Sequence, residues 1–247
     1  MGRRDRRQQR SAARAATCRA EVAGAGFDID IGGAGGGPGA GLGLGESVMR
    51  VGLFGGSFDP VHNAHVALAR TALEQLGLDE LRWIPVGRPW QKARRLASGA
   101  DREAMVRLAI AGEPRFVLDR SELRRRGVSF TLDTVRELAA ARPDDERILV
   151  IGQDQYASLH TWRDWKELLG AVTLAVANRP GAGLAINPQI AAVAHRPVML
   201  PMMDISSTEI RRRVAAGEPI AGLVPPAVAS YIEQHRLYRD GGDPTRS

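Results

Sequence analysis

The segment Gly55-Gly56-Ser57-Phe58-Asp59-Pro60-Val61-His62-Asn63-Ala64-His65 gathers groups suited to holding an anion. The two glycines let the backbone approach a ligand closely, and Pro60 stiffens the loop. His62 and His65 stand three apart where a helical pattern begins. The N–H groups and the dipole of such a helix start favour phosphate, and imidazoles placed there donate hydrogen bonds to phosphate oxygens. A metal site would need a third His, Cys or carboxylate, and the spacing makes none evident. The loop is neither GxxxxGK[ST] nor GxGxxG, and nothing marks a base that would make either histidine a nucleophile. Taken alone, a Gly pair or a His pair would be an ordinary strand-to-helix turn.

A second cluster lies far along the chain, at Ile205-Ser206-Ser207-Thr208-Glu209-Ile210-Arg211. Ser206, Ser207 and Thr208 put hydroxyls at a helix start, and Arg211 adds a charge one turn in. Ser206 with Glu209 has capping-box spacing. Taken alone this is a Ser N-cap with a surface Arg, though a capped helix start is also an anion site.

These residues need a frame, and from Met49 onward the chain supplies one. Short apolar runs at Val51–Phe54, Leu81–Val86, Phe116–Leu118, Ile148–Ile151, Thr173–Ala177 and Val198–Leu200 read as strands. Between them lie helical patterns. In 65–76 one face carries Val66, Ala69, Leu73 and Leu76. In 101–111 Asp101 is the expected N-cap and Met105, Leu108 and Ala109 are expected to face inward. Further helices are expected over Thr131–Ala141, around the tryptophans of 162–169, and over 207–216 and 225–235. Unbroken apolar strands between amphipathic helices indicate an α/β fold, a doubly wound parallel sheet covered on both faces. Ligands in such sheets bind beyond the carboxyl ends of the strands. The GGSF loop follows the first strand, and Asp154 follows the fourth.

Composition sets outer bounds. The chain has 247 residues, a net charge of +6 and one cysteine, Cys18, so it forms no internal disulfide and holds no cysteine cluster for zinc. No run approaches 18 apolar residues, which excludes a membrane-spanning helix. Arginine carries the positive charge, Lys92 and Lys166 being the sole lysines. Residues 1–48 differ in kind: seven arginines fall in the first twenty positions, and nine glycines in 32–45. That composition predicts a disordered extension of 1–48 ahead of one domain over 49–247. The arginines could serve as a nucleic-acid arm or a targeting peptide, but a solvated extension fits better, with Met49 as an alternative start.

GGSFDPVHNAH resembles the signature of the HxGH nucleotidyltransferase superfamily, and ISSTEIR is similar to its second signature. Ala64 stands where the superfamily usually has glycine. Three segments in between resemble bacterial nicotinate-nucleotide adenylyltransferases: Ser129-Phe130-Thr131-Leu132-Asp133-Thr134, Ile151-Gly152-Gln153-Asp154 with Leu159-His160-Thr161-Trp162, and Asn178-Arg179-Pro180-Gly181. Pro89-Trp90-Gln91-Lys92 departs from the family's usual PPH. The resemblance runs from about residue 50 to 239.

The resemblance implies transfer of AMP from ATP to nicotinate mononucleotide, with Mg²⁺ carried on ATP and a cytoplasmic location. It implies ATP binding by Gly55, Gly56, Ser57, Phe58, His62, His65, Ser206, Ser207, Thr208 and Arg211, with His62, His65 and Arg211 stabilising charge. For the acceptor it implies Lys92 on a phosphate, Thr131 at the carboxylate, Asp154 on a ribose hydroxyl and Trp162 stacked on the ring. Trp165 is more simply a core aromatic, and Arg124-Arg125-Arg126 a solvated turn. The neighbouring reading is the same reaction on nicotinamide mononucleotide. Pantetheine-phosphate adenylyltransferases and cytidylyltransferases lack the middle segments. A nucleic-acid-binding protein is the reading from another class, but base-stacking clusters and finger spacings are missing, so neither nucleic acid nor membrane is an expected partner.

Overall fold

The computed structural model describes residues 47–88, 96–178, 186–201 and 203–239. The expected extension, but for its last two residues, therefore lies outside the described residues, as do Lys92 and the Arg179-Pro180-Gly181 turn. Six strands form one sheet: β1 (Arg50–Gly56), β2 (Glu80–Pro85), β3 (Phe116–Leu118), β4 (Glu146–Gly152), β5 (Thr173–Asn178) and β6 (Arg196–Met199). Every neighbouring pair is parallel, in the order β3-β2-β1-β4-β5-β6. The chain winds outward one way from β1 and then crosses back to β4. The switch point between β1 and β4 is where the carboxyl ends of such a sheet leave room for a ligand.

The helices are α1 (Asn63–Gln75), α2 (Gly99–Ile110), α3 (Ser121–Arg124), α4 (Thr131–Ala141), α5 (Gln153–Ala157), α6 (Trp165–Ala171), α7 (Pro188–Ala191), α8 (Ser207–Ala215) and α9 (Pro226–Gln234). Alternate strand residues feed two cores. Phe54, Trp83, Ile148 and Val150 pack with α1, α2, α8 and α9. Leu53, Ile84, Leu149 and Ile151 pack with α4, α6 and the segment between β4 and α6. The doubly wound sheet expected from the sequence is the one found. No helix among the described residues is long and apolar enough to cross a membrane.

Local details differ from the sequence reading, each for a physical reason. Helix α2 is capped by Ser98, whose hydroxyl oxygen accepts from the Asp101 N–H at 3.0 Å, so Asp101 sits inside the first turn rather than at the cap. Leu108 faces solvent, and Val106 and Ile110 join Met105 in the core. Arg102 takes a further buried position on that helix, which an apolar-periodicity argument cannot foresee. At α8 the Ser206 hydroxyl does accept from the Glu209 N–H, at 3.2 Å. The return half of a capping box is replaced, because the Glu209 carboxylate binds Arg212 and Arg213 at 2.8–2.9 Å. Those guanidinium hydrogen bonds, Arg212 first, hold the Glu209 carboxyl at about 2, a charge-assisted pairing that outcompetes a neutral amide. The tryptophan-bearing helix starts only at Trp165, so Trp162 precedes it on extended backbone.

Candidate active site

A cleft of about 440 Å³ opens at the β1/β4 switch point. Its floor comes from the ends of those two strands, and its walls come from the starts of α1, α4, α5 and α8. The parallel order is what brings these helix starts to the carboxyl end of the sheet, so several sets of N-terminal amides surround one space.

The first motif builds one wall. Gly55 and Gly56 line the cleft, but for different reasons. A side-chain carbon at Gly55 would meet no protein atom within 4 Å, so internal packing does not demand glycine there. At Gly56 the same carbon would fall 2.9 Å from the Phe58 ring. Phe58 itself is buried in the aromatic core beside Phe54 and Trp83. Its ring is thus structural, and Phe58 is not part of the cleft lining. Its φ of 46° carries the chain sharply into Asp59.

His62 is the N-cap residue of α1 and is buried; His65 follows one turn later and is half-buried. Their rings stack at 3.6 Å between centroids. The Phe58 ring meets His65 edge-on at 5.2 Å. The His62 N–H donates to His65 Nδ1 at 3.2 Å. Acceptance at Nδ1 assigns the proton to Nε2 in the neutral ring, so His65 offers an N–H donor from its far side. Ala64 lines the same wall with its methyl, which fills the place of the expected glycine without displacing either histidine from the cleft.

The second motif faces the first. Ser206 and Ser207 line the cleft, and the Ser207 hydroxyl donates to the Pro60 carbonyl at 3.0 Å. Arg211 donates to the Asp59 carbonyl at 2.7 Å and to the Thr208 hydroxyl at 3.1 Å. Neither Thr208 nor Arg211 is part of the cleft lining. The guanidinium expected on a phosphate is here engaged by the first loop, because the Asp59 carbonyl of that loop lies within its reach. Asn63 completes the junction, taking the Leu223 carbonyl through its backbone and the Gly222 carbonyl through its side chain.

The other end of the cleft is aromatic and polar. Trp162, Thr131 and Asp154 all line it; Trp162 and Trp165 both pack, partly buried, against the second core, and Trp165 is not part of the lining. Thr131 opens α4, whose cap residue Phe130 makes no side-chain cap bond. Asp154 sits in the first turn of α5 and is exposed; at that helix start the Gly152 N–H donates to Gln155 Oε1 at 3.3 Å.

Two lining residues escape sequence reasoning. The Arg163 guanidinium lies 4.6 Å above the Phe130 ring, a cation–π contact that sets a charge beside Trp162. Glu122 brings a buried carboxyl into the lining and accepts from the Thr134 hydroxyl at 3.0 Å. A single Glu in a polar stretch carries no local signal of burial. Arg125, expected in a solvated turn, is half-buried and also donates to Thr134.

Burial pushes the Glu122 carboxyl above the usual carboxylate range, opposed by the Thr134 hydroxyl and the Arg125 charge. The folded protein therefore holds this proton at pH values where the unfolded chain has lost it. Stability from this group is full below the ordinary carboxylate pKa and falls as pH rises through the raised one. Glu122→Gln removes the titration while keeping a carbonyl for Thr134. The melting temperature of the variant minus that of the native chain should rise as pH goes from about 4 to 8, read by thermal unfolding. A difference that is flat with pH would contradict the assignment.

Residues 53–213 match the cytidylyltransferase-like family, and the chain belongs to that family of nucleotidyltransferases. Within it, the chain groups with the nicotinate-nucleotide adenylyltransferases. A protein of Methylibium petroleiphilum named "Probable nicotinate-nucleotide adenylyltransferase" is 51% identical over 76% of this chain and 92% of its own length. One of the same name from Bordetella petrii is 48% identical over 77% and 99%. Among solved structures, the Plasmodium falciparum nicotinic acid mononucleotide adenylyltransferase complexed with NaAD superposes with a TM-score of 0.64. It is 19% identical and covers 77% of this chain and 97% of its own, a likeness of fold.

Proposed function

We infer that this chain transfers the adenylyl group of ATP to nicotinate mononucleotide, giving nicotinate adenine dinucleotide and pyrophosphate in NAD biosynthesis. The observation that carries the mechanism is the meeting of the two motifs at the β1/β4 switch point, with an aromatic and polar compartment beside them. In this reading an oxygen of the acceptor's phosphate attacks the α-phosphorus of ATP. A new P–O bond forms, the α–β bridging P–O bond breaks, and pyrophosphate leaves. The attacking phosphate is already ionised at neutral pH, so no general base is needed. Rate then comes from alignment and from donors aimed at the charge that develops.

Placement in or beside the cleft supports the following roles. The His65 Nε2–H and the His62 ring face the triphosphate, with Gly55 leaving room for it. Ser206 and Ser207 supply hydroxyls and helix-start amides to the outer phosphates. Arg211 acts on the phosphates through the loop it holds, with direct contact requiring it to leave Asp59. Trp162 stacks on the pyridine ring, Thr131 and the start of α4 take its carboxylate, and Asp154 takes a ribose hydroxyl. Lys92 is proposed for a phosphate on sequence grounds alone.

Among the described residues no group of three His, Cys, Asp or Glu side chains is placed to hold a metal. The hydroxyl and imidazole donors of the cleft suit a triphosphate that brings its own Mg²⁺, which would neutralise charge on the leaving pyrophosphate. A cytoplasmic setting belongs to the same reading.

The test is pyrophosphate release from ATP with nicotinate mononucleotide, nicotinamide mononucleotide or phosphopantetheine as acceptor. Preference for the first by severalfold or more supports the reading; equal use of the second shifts it to the amide. Trp162→Ala should raise the KM for the acceptor on the order of tenfold while leaving that for ATP within about threefold. Equal changes for both substrates would place Trp162 outside the acceptor site.

A further inference from the structure

Beneath the GGSF loop lies a charged side chain that no step above uses. Arg102, in the first turn of α2, is only 2% exposed. Its guanidinium is spread over three segments of chain. Nη1 donates to the Ser57 carbonyl at 3.1 Å and to the Val86 carbonyl at 2.6 Å. Nε donates to the Ala97 carbonyl at 3.1 Å, and Nη2 reaches the Gly87 carbonyl at 3.4 Å. Asp59, fully buried, adds to the same junction: its Oδ1 accepts from the Ala97 N–H at 3.2 Å and from the Tyr238 hydroxyl at 2.7 Å. Burial works against the Arg102 charge, and Asp59 is the foremost group sustaining it.

We propose that Arg102 is a positioning residue for adenylyl transfer, fixing the Ser57–Phe58 peptide of the ATP loop against the end of β2 and the start of α2. The inference rests on the assignment of the Gly55–His65 loop to ATP. A trans peptide points its C=O and N–H in opposite directions. Drawing the Ser57 carbonyl onto Arg102 turns the Phe58 N–H away from Arg102 and fixes that peptide plane, and with it Ser57, which lines the cleft, while the Phe58 ring stays in the core. Four carbonyls from three segments need a planar fork with several donors; a lysine offers three donors from one point and cannot span them. Burying a guanidinium is costly even with Asp59 near it, and a purely apolar anchor would hold the helix at less expense. What the fork adds is the orientation of one peptide.

The experiment uses the full chain with Arg102→Lys and Arg102→Ala, and His65→Ala in parallel. The Lys variant should keep its circular dichroism spectrum and bind nicotinate mononucleotide within about threefold of the native affinity. Its kcat/KM for ATP should fall by about 10–100-fold, the range for losing charged hydrogen bonds. Guanidinium at a sub-denaturing concentration should restore part of the activity of Arg102→Ala, with sodium chloride of equal strength restoring none. The inference is overturned if the Lys variant keeps native kcat/KM, if both substrates suffer equally, if guanidinium gives no rescue, or if neither variant folds. A silent His65→Ala would instead remove the ATP assignment of the loop; an impaired His65→Ala beside silent Arg102 variants would remove this inference alone.

Discussion

Replacing His65 with alanine should lower kcat by about 10²–10³-fold, the effect of losing one preorganised donor at a site of developing charge. The reason is the tautomer. The His62 N–H occupies Nδ1 of His65 at 3.2 Å, and the rings of Phe58 and His62 fix the imidazole plane. The Nε2–H is therefore held ready before ATP arrives, at no cost of reorganisation during the reaction. The same geometry ranks two further variants. Glutamine can place its amide N–H₂ near the position of Nε2, whereas asparagine reaches only as far as Nδ1. His65→Gln should thus keep more activity than His65→Asn, which should resemble the alanine variant. Steady-state kinetics on the three variants checks the order. Asparagine equal to or better than glutamine would show that the Nδ1 contact matters and the Nε2 donor does not.

Gly87→Ala should be the most damaging single methyl in the cleft's surroundings. A side-chain carbon there would stand 2.1 Å from the Glu122 carbonyl oxygen and 2.9 Å from the Ser129 hydroxyl. Both residues are buried: the Ser129 N–H donates to the Arg88 carbonyl at 3.1 Å, and the Glu122 carboxyl accepts from the Thr134 hydroxyl at 3.0 Å. Backbone must move, because no flexible side-chain end is available to yield. Overpacking of this kind costs about 1–3 kcal/mol or more. In a domain of this size that is a loss of roughly 3–10 °C in melting temperature. Activity should suffer too, since the displaced segment leads into Phe130 and Thr131 at the acceptor end. The expected result is a lower melting temperature together with a raised KM for nicotinate mononucleotide. A melting temperature within one degree or so of the native value would mean the segment gives way easily.

Much of the site is legible in the amino-acid sequence because its chemistry is concentrated in two short motifs. Their glycines, histidines and hydroxyls are recognisable by type and spacing alone. The strands are legible because a sheet buried on both faces demands continuous apolar runs, and β3 lies at its expected bounds, Phe116–Leu118. Local rules also have a short reach. Helical periodicity predicts Leu108 inside, but its face of α2 meets solvent. Trp162 reads as helical beside Trp165, and it is the break before that helix that frees Trp162 to line the cleft.

By itself, then, the sequence determined the class of fold, the two motifs and the family, all of which rest on residues close together in the chain. Tertiary structure alone decided what those residues touch. Arg211 meets the carbonyl of Asp59, 152 positions away. Phe58 enters the core instead of the cleft, Glu122 and Arg163 enter the lining, and Arg102 is buried on four carbonyls. Each of these depends on the strand order β3-β2-β1-β4-β5-β6, which sets which loops share the switch point. Hydrogen bonds and burial act over a few ångströms in space, so they become readable only once distant segments are brought to those distances.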